Sequence, residues 1–64
     1  MLTEQQQEAI QYCQEHRDEL KAAAYHGDSR AILVWGAFVC ARRTDSTDGS
    51  RQWLVEKFNE YRHA

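Results

Sequence analysis

The sequence predicts a small all-α protein of three helices: a long first helix, an apolar middle helix and a shorter amphipathic third helix. Two observations predict this fold class. The 64 residues include no proline and only three glycines, so few residues interrupt helices. Apolar residues recur at spacings of three and four in the first and last segments, which is the period of an amphipathic helix. A chain of this length is expected to form a single domain, residues 1–64.

The first helix is predicted from Glu4 to Tyr25, where glutamine, glutamate, alanine and leucine predominate. Thr3 followed by Gln6 fits a capping box, in which each side chain bonds the backbone N–H of the other residue. Gly27 lies where a residue in the left-handed conformation commonly ends a helix. The apolar side of this helix is narrow and consists mostly of small residues: Ala9, Cys13, His16, Leu20, Ala23 and Ala24.

The middle segment, residues 30–43, can begin a helix at either of two capping residues, Asp28 or Ser29. Its β-branched and aromatic side chains favour a strand. Its length favours a helix, because strands usually end after about four to eight residues and no breaker interrupts this run. We therefore predict a helix. The alternative is an α-β-α arrangement with residues 31–41 as a strand, or as a hairpin that turns at Trp35 and Gly36.

The third helix is predicted from Arg51 to Arg62, after a polar loop that covers residues 44–50. Asp48 or Ser50 is the predicted N-terminal cap. The apolar residues recur with helical spacing, and charged residues occupy the remaining positions. The predicted apolar face consists of Trp53, Leu54, Phe58 and Tyr61.

The middle helix has no polar residue between Arg30 and Arg42, so it is apolar around its whole circumference. A helix of this kind must be covered on every side. One narrow, alanine-rich neighbour and one short neighbour cannot cover it, and a second copy of the chain in a two-fold homodimer is the expected cover. The predicted dimer interface consists of Ile32, Trp35, Gly36, Phe38, Val39, Trp53 and Phe58.

Size and charge favour a non-enzymatic protein-interaction module, which acts as an adaptor, inhibitor or regulator of another protein. So short a chain has too little mass for both a core and a catalytic cleft of several hundred Å³. The formal net charge is -2, whereas chains that mainly neutralise phosphates are strongly basic. We expect such a partner to bind surfaces on the first helix and on the loop from Arg42 to Ser50. The candidate partner-binding residues are Arg42, Arg43, Arg51 and Tyr61. A small nucleic-acid-binding regulator that uses Arg42, Arg43 and Arg51 is the alternative.

Cys13, His16 and Cys40 suggest a second alternative, a thiol- or metal-dependent sensor. Cys13 and His16 are three residues apart and share one face of the first helix. Cys40 could approach them if the first two helices form a hairpin, and zinc accepts such ligands. Buried cysteines are more commonly inert core residues. We therefore expect no metal and no cofactor.

The apolar run from Ala31 to Ala41 is 11 residues long, well short of the roughly 20 residues that span a bilayer. The first residues resemble no targeting segment, because a basic stretch followed by an apolar one is missing. We expect a cytoplasmic protein with reduced thiols and no membrane association.

Overall fold

The computed structural model describes residues 2–63 and confirms the all-α class. It contains four helices: α1 (Glu4–Glu15), α2 (Arg17–Tyr25), α3 (Ser29–Ala41) and α4 (Asp48–Arg62). Over residues 2–63 there is no strand. The strand or hairpin alternative for residues 31–41 is therefore wrong, and the length of the uninterrupted run was the better guide to its conformation.

A single hydrophobic core receives side chains from all four helices. Helix α3 packs against both α2 and α4, and α1 packs mainly against α4. The buried residues that form this core are Ala9, Cys13, Leu20, Val34, Ala37, Phe38, Ala41, Leu54, Val55 and Phe58. Of the helices described, none has the length and apolar character needed to cross a membrane.

The prediction of one long first helix is wrong in one respect, because this segment is interrupted at His16 and forms two helices, α1 and α2. His16 leaves the helical conformation at φ -111° and ψ 26°. Its ring stacks on Tyr12 at 4.1 Å between centroids, and its Nδ1–H donates to the Tyr12 carbonyl at 3.0 Å. A straight helix over residues 4–25 would extend about 33 Å, beyond the roughly 20 Å of α3. The break allows α1 to pack on α4 while α2 packs on α3.

The connection between α2 and α3 has the predicted caps. Gly27 has a φ of 89°, and its N–H donates to the Ala24 carbonyl while Asp28 N–H donates to the Ala23 carbonyl, both at 3.1 Å. This pair of bonds is the Schellman motif that commonly ends a helix. The Asp28 carboxylate then accepts hydrogen bonds from the first turn of α3.

Helix α4 begins at Asp48, three residues before the predicted start, and its cap is neither Asp48 nor Ser50 but Thr47. The Thr47 hydroxyl accepts from Ser50 N–H at 3.1 Å. Asp48 instead accepts a hydrogen bond from Gln6 Nε2 at 3.2 Å. Gln6 is buried and also completes the predicted capping box with Thr3, so it joins the first turns of α1 and α4.

Candidate interaction surface

One side of α3 is apolar and open to solvent. We define the outer face of α3 as Ile32, Leu33, Gly36, Val39 and Cys40, which lie together on the side of the helix away from the core. The side chains of Ile32, Leu33 and Val39 are 49%, 43% and 37% exposed. Cys40 is also exposed, and Gly36 is half-buried. Within this chain, therefore, the middle helix is covered on one side only.

The core side of α3 carries mostly small residues. Ala31, Ala37 and Ala41 are buried, together with Val34 and Phe38. Small side chains let the neighbouring helices approach α3 closely, so little volume remains for larger ones. The branched aliphatic side chains of α3 thus lie largely on the outer side, where they contribute least to the stability of the single chain.

Gly36 lies in the middle of the outer face, and nothing within the chain requires a glycine there. A Cβ atom added at this position would meet no atom within 4 Å. Gly27 is the glycine with a positive φ in the described chain, so Gly36 has a conformation open to any residue. Glycine in a helix interior costs about 0.5–1 kcal/mol relative to alanine. The space directly above Gly36 is therefore not filled by a side chain or by another helix of this chain.

The apolar surface continues from the outer face towards α2 through Trp35. By helical spacing Trp35 adjoins Ile32 and Val39, and its half-buried ring packs on Phe38 at 5.7 Å between centroids. Trp35 also lines a shallow cavity of about 220 Å³ with Lys21, Ala24 and Tyr25. Tyr25 is largely exposed to solvent. Together these side chains widen the apolar surface beyond a single helix stripe.

The residues predicted for the dimer interface have two different environments in the structure. Ile32 and Val39 are exposed on the outer face, and Trp53 is exposed on α4. Trp35 is half-buried at the border of the outer face, and Gly36 is half-buried at its centre. Phe38 and Phe58 lie in the core of the single chain, so the surface proposed below does not include them.

The predicted dimer interface did not include two members of the outer face, Leu33 and Cys40. The alanines at positions 31, 37 and 41 share the opposite side of the helix, and their spacing was the available signal.

Two of the predicted partner-binding arginines form polar contacts within the chain. Arg51 Nη1 donates to the Ser46 carbonyl at 3.1 Å and lies 3.0 Å from Ser46 Oγ, so it holds the loop between α3 and α4. The Arg51 Nε atom is buried and has no hydrogen-bond partner within the described chain. Arg43 Nε lies 3.2 Å from a carboxylate oxygen of Asp45, in an exposed ion pair.

The other two predicted partner-binding residues contact aromatic or core groups. The Arg42 guanidinium lies over the ring of Phe38 at 5.8 Å from its centroid. Tyr61 is half-buried and packs against the core. Burial raises the pKa of the Tyr61 hydroxyl above its usual value of 10.0. The four residues therefore do not form one free basic surface.

The cysteines and His16 occupy separate environments. Cys13 is buried in the core, and burial raises the pKa of its thiol from 9.0 to about 11, so the thiol is neutral at physiological pH. Cys40 is exposed on the outer face of α3, and neither cysteine is in a disulfide. Among residues 2–63, no group of three or more His, Cys, Asp or Glu side chains is placed to hold a metal ion.

This chain was compared with protein-family models, with curated proteins and with solved structures, and no match was found in any of the three comparisons.

Proposed function

We propose that this chain is a non-enzymatic protein-interaction module, which associates through the outer face of α3 and acts as an adaptor, inhibitor or regulator of the protein that it binds. The observation that carries the proposal is the exposure of Ile32, Leu33 and Val39 on one side of a helix whose other side is mostly alanine. An exposed apolar surface of this kind is typical of protein–protein contact sites.

The exposed aliphatic side chains have a measurable free-energy cost for a lone chain. Full burial of a valine, leucine or isoleucine side chain contributes about 1.5–3 kcal/mol. Because Ile32, Leu33 and Val39 are between a third and a half exposed, about 2–4 kcal/mol of the stabilisation available from their full burial is missing in the single chain. Domains of this size have a core that contributes only about 3–5 kcal/mol of net stability. Covering the outer face would therefore change the stability of the fold appreciably.

The size of the surface indicates association of moderate strength. A standard interface buries about 800 Å² on each partner, a little under a fifth of this chain's 4456 Å². Helix α3 is only about 20 Å long, so the outer face alone does not reach that area. Inclusion of Trp35 and Tyr25 extends the surface across α2. We expect a micromolar rather than a nanomolar dissociation constant.

The arginine contacts favour protein binding over the nucleic-acid alternative. A phosphate-binding surface needs basic side chains that are free to contact several phosphates. Arg51 is held by Ser46 and Arg43 is paired with Asp45. We expect the chain to pass through a heparin column at low salt. Retention that falls steeply with salt would favour the nucleic-acid alternative instead.

Site-specific photo-crosslinking tests the proposed surface in cells of the source organism. A photoreactive benzoyl-phenylalanine replaces Leu33 on the outer face, and in the control it replaces Gln52, an exposed residue of α4. We expect an adduct of discrete mass from position 33 and none from position 52, with mass spectrometry locating the linked peptide. Equal yields at both positions, or no adduct at position 33, would contradict the proposal.

A further inference from the structure

We infer that the partner on the outer face of α3 is a second copy of this chain, which packs its own α3 antiparallel about a two-fold axis at Gly36. This inference rests on the proposed association through the outer face and adds the identity and orientation of the partner. Three features of α3 support it: the positions of its exposed residues, the placement of its charges, and the open space above its glycine.

The exposed residues of α3 are arranged symmetrically about Gly36. Leu33 and Val39 lie three residues before and after it, and Ile32 and Cys40 lie four residues before and after it. In an antiparallel pair centred on Gly36, each residue faces the residue at the same distance on the other side of the second copy. Leu33 then faces Val39 and Ile32 faces Cys40, so each exposed side chain of the outer face meets an apolar one. A two-fold interface requires this self-complementarity.

The charges at the two ends of α3 favour the antiparallel orientation. Arg42 and Arg43 follow the C-terminal end of the helix, and its N-terminal end carries the Asp28 carboxylate and Arg30. A parallel pair would bring Arg42 and Arg43 against their own copies at one end. An antiparallel pair brings Arg30 of each helix to the level of Arg42 of the other, but it separates the two Arg42–Arg43 pairs and aligns the helix dipoles in opposite directions.

The glycine at the centre explains how the two helices would approach. Apart from the local backbone of α3, a Cβ at Gly36 would meet no atom within 4 Å, so no part of this chain covers the position. A residue without a side chain at the crossing point allows the shortest distance between helix axes. The flanking aliphatic side chains, Leu33 and Val39, then lie close enough to bury one another across the axis.

Disulfide mapping under mild oxidation at micromolar concentration tests the orientation, because Cys40 already supplies one thiol on the face. In Ile32→Cys the new thiol faces Cys40 of the second copy, within the roughly 4.4–6.8 Å Cα separation that a disulfide requires. In the control, Val39→Cys, the new thiol faces Leu33, which offers no sulfur. The wild-type Cys40 pair is separated by about 12 Å along the helices and is out of reach.

We expect Ile32→Cys to form a covalent dimer roughly tenfold or more faster than Val39→Cys or the wild type, because association raises the effective thiol concentration. Circular dichroism checks that both variants keep the helical content of the wild type. A Cys40–Cys40 disulfide in the wild type, or equal rates in the two variants, would overturn the antiparallel pair.

A chain that sediments as a monomer, with no Ile32→Cys dimer, would exclude a second copy as the partner. The photo-crosslinking experiment then decides the proposed function separately. A crosslink from position 33 to another protein would still support association through the outer face, whereas the absence of any crosslink at position 33 would contradict it.

Discussion

Replacement of Gly36 by alanine should make the single chain more stable and its self-association weaker. The stability gain follows from the helix interior, where alanine is favoured over glycine by about 0.5–1 kcal/mol. The new methyl group meets no atom of the chain within 4 Å, so no steric cost offsets the gain. For a domain of this size, a gain of about 1 kcal/mol raises the Tm by about 4–8 °C.

The loss of association follows from the same methyl group. At the crossing point of two helices it would hold the backbones apart and reduce the contact between Leu33 and Val39 across the axis. We expect the dissociation constant of Gly36→Ala to rise at least about tenfold, which corresponds to about 1.4 kcal/mol. Stability and association therefore change in opposite directions, whereas a general disturbance of the fold would lower both.

Urea denaturation of dilute protein measures the stability of the single chain, and sedimentation equilibrium over a range of concentrations measures association. The matched control is Gly27→Ala, because Gly27 has a φ of 89° and alanine there is strained by roughly 1–2 kcal/mol. The control should lose stability without a specific loss of association. The reasoning fails if Gly36→Ala destabilises the dilute chain, or if its association equals that of the wild type.

Three further predictions concern the core and the thiols. Phe38→Ala should lower the free energy of unfolding by about 3–5 kcal/mol and abolish cooperative thermal unfolding. Leu33→Ala should lower it by about 1 kcal/mol or less in dilute protein. Similar losses in the two variants would contradict the burial of Phe38 and the exposure of Leu33. Gln6→Ala should lower the free energy of unfolding in urea by about 1–3 kcal/mol, because it removes the hydrogen bonds of the buried Gln6 side chain to Thr3 and Asp48. An unchanged midpoint would show that this link contributes little. At neutral pH iodoacetamide should label Cys40 before Cys13. Relative to Cys13→Ala, the wild type should lose about 2 kcal/mol of unfolding free energy as the pH rises from 9 to 11, since the folded state retains a proton that the unfolded thiol releases. Equal labelling rates, or parallel pH profiles, would refute the burial argument.

The parts of the fold that the sequence predicts correctly are local. The capping box of Thr3 and Gln6, the left-handed Gly27 and the Asp28 cap each involve residues within a few positions of one another. The break at His16 was not predicted, because residues 4–25 have continuous helix propensity and the break depends on packing against two different helices. Tertiary packing overrides propensity in such cases.

The start of α4 shows a second limit of local reasoning. Thr47, Asp48 and Ser50 are all good capping residues, so the sequence alone cannot rank them reliably. Asp48 accepts a hydrogen bond from Gln6, which is 42 residues away, and Thr47 caps the helix instead. A contact over that separation has no local sequence signal.

The candidate surface was predicted in outline but not residue by residue. The absence of polar residues between positions 30 and 42 indicated that the middle helix needs cover beyond its own chain, and the structure leaves the outer face of α3 exposed. An all-apolar helix has no charged residue to mark its outer side. For that reason Phe38, which is buried, was predicted at the interface, while Leu33, which is exposed, was not.

The outer face of α3 and Gly36 raise the free energy of the lone chain by two unrelated mechanisms. The exposed aliphatic side chains lack the stabilisation that burial would give them, and the glycine lacks the higher helix propensity of alanine. A polar residue at position 33 and an alanine at position 36 would remove both costs without disturbing the described core. Contact with a second helix would bury the aliphatic side chains, and the glycine would allow the close approach that buries them, so the gain from burial would offset the helix-propensity cost. Neither feature alone distinguishes an association surface from a poorly packed helix, and it is their coincidence on one side of α3 that supports the proposed association.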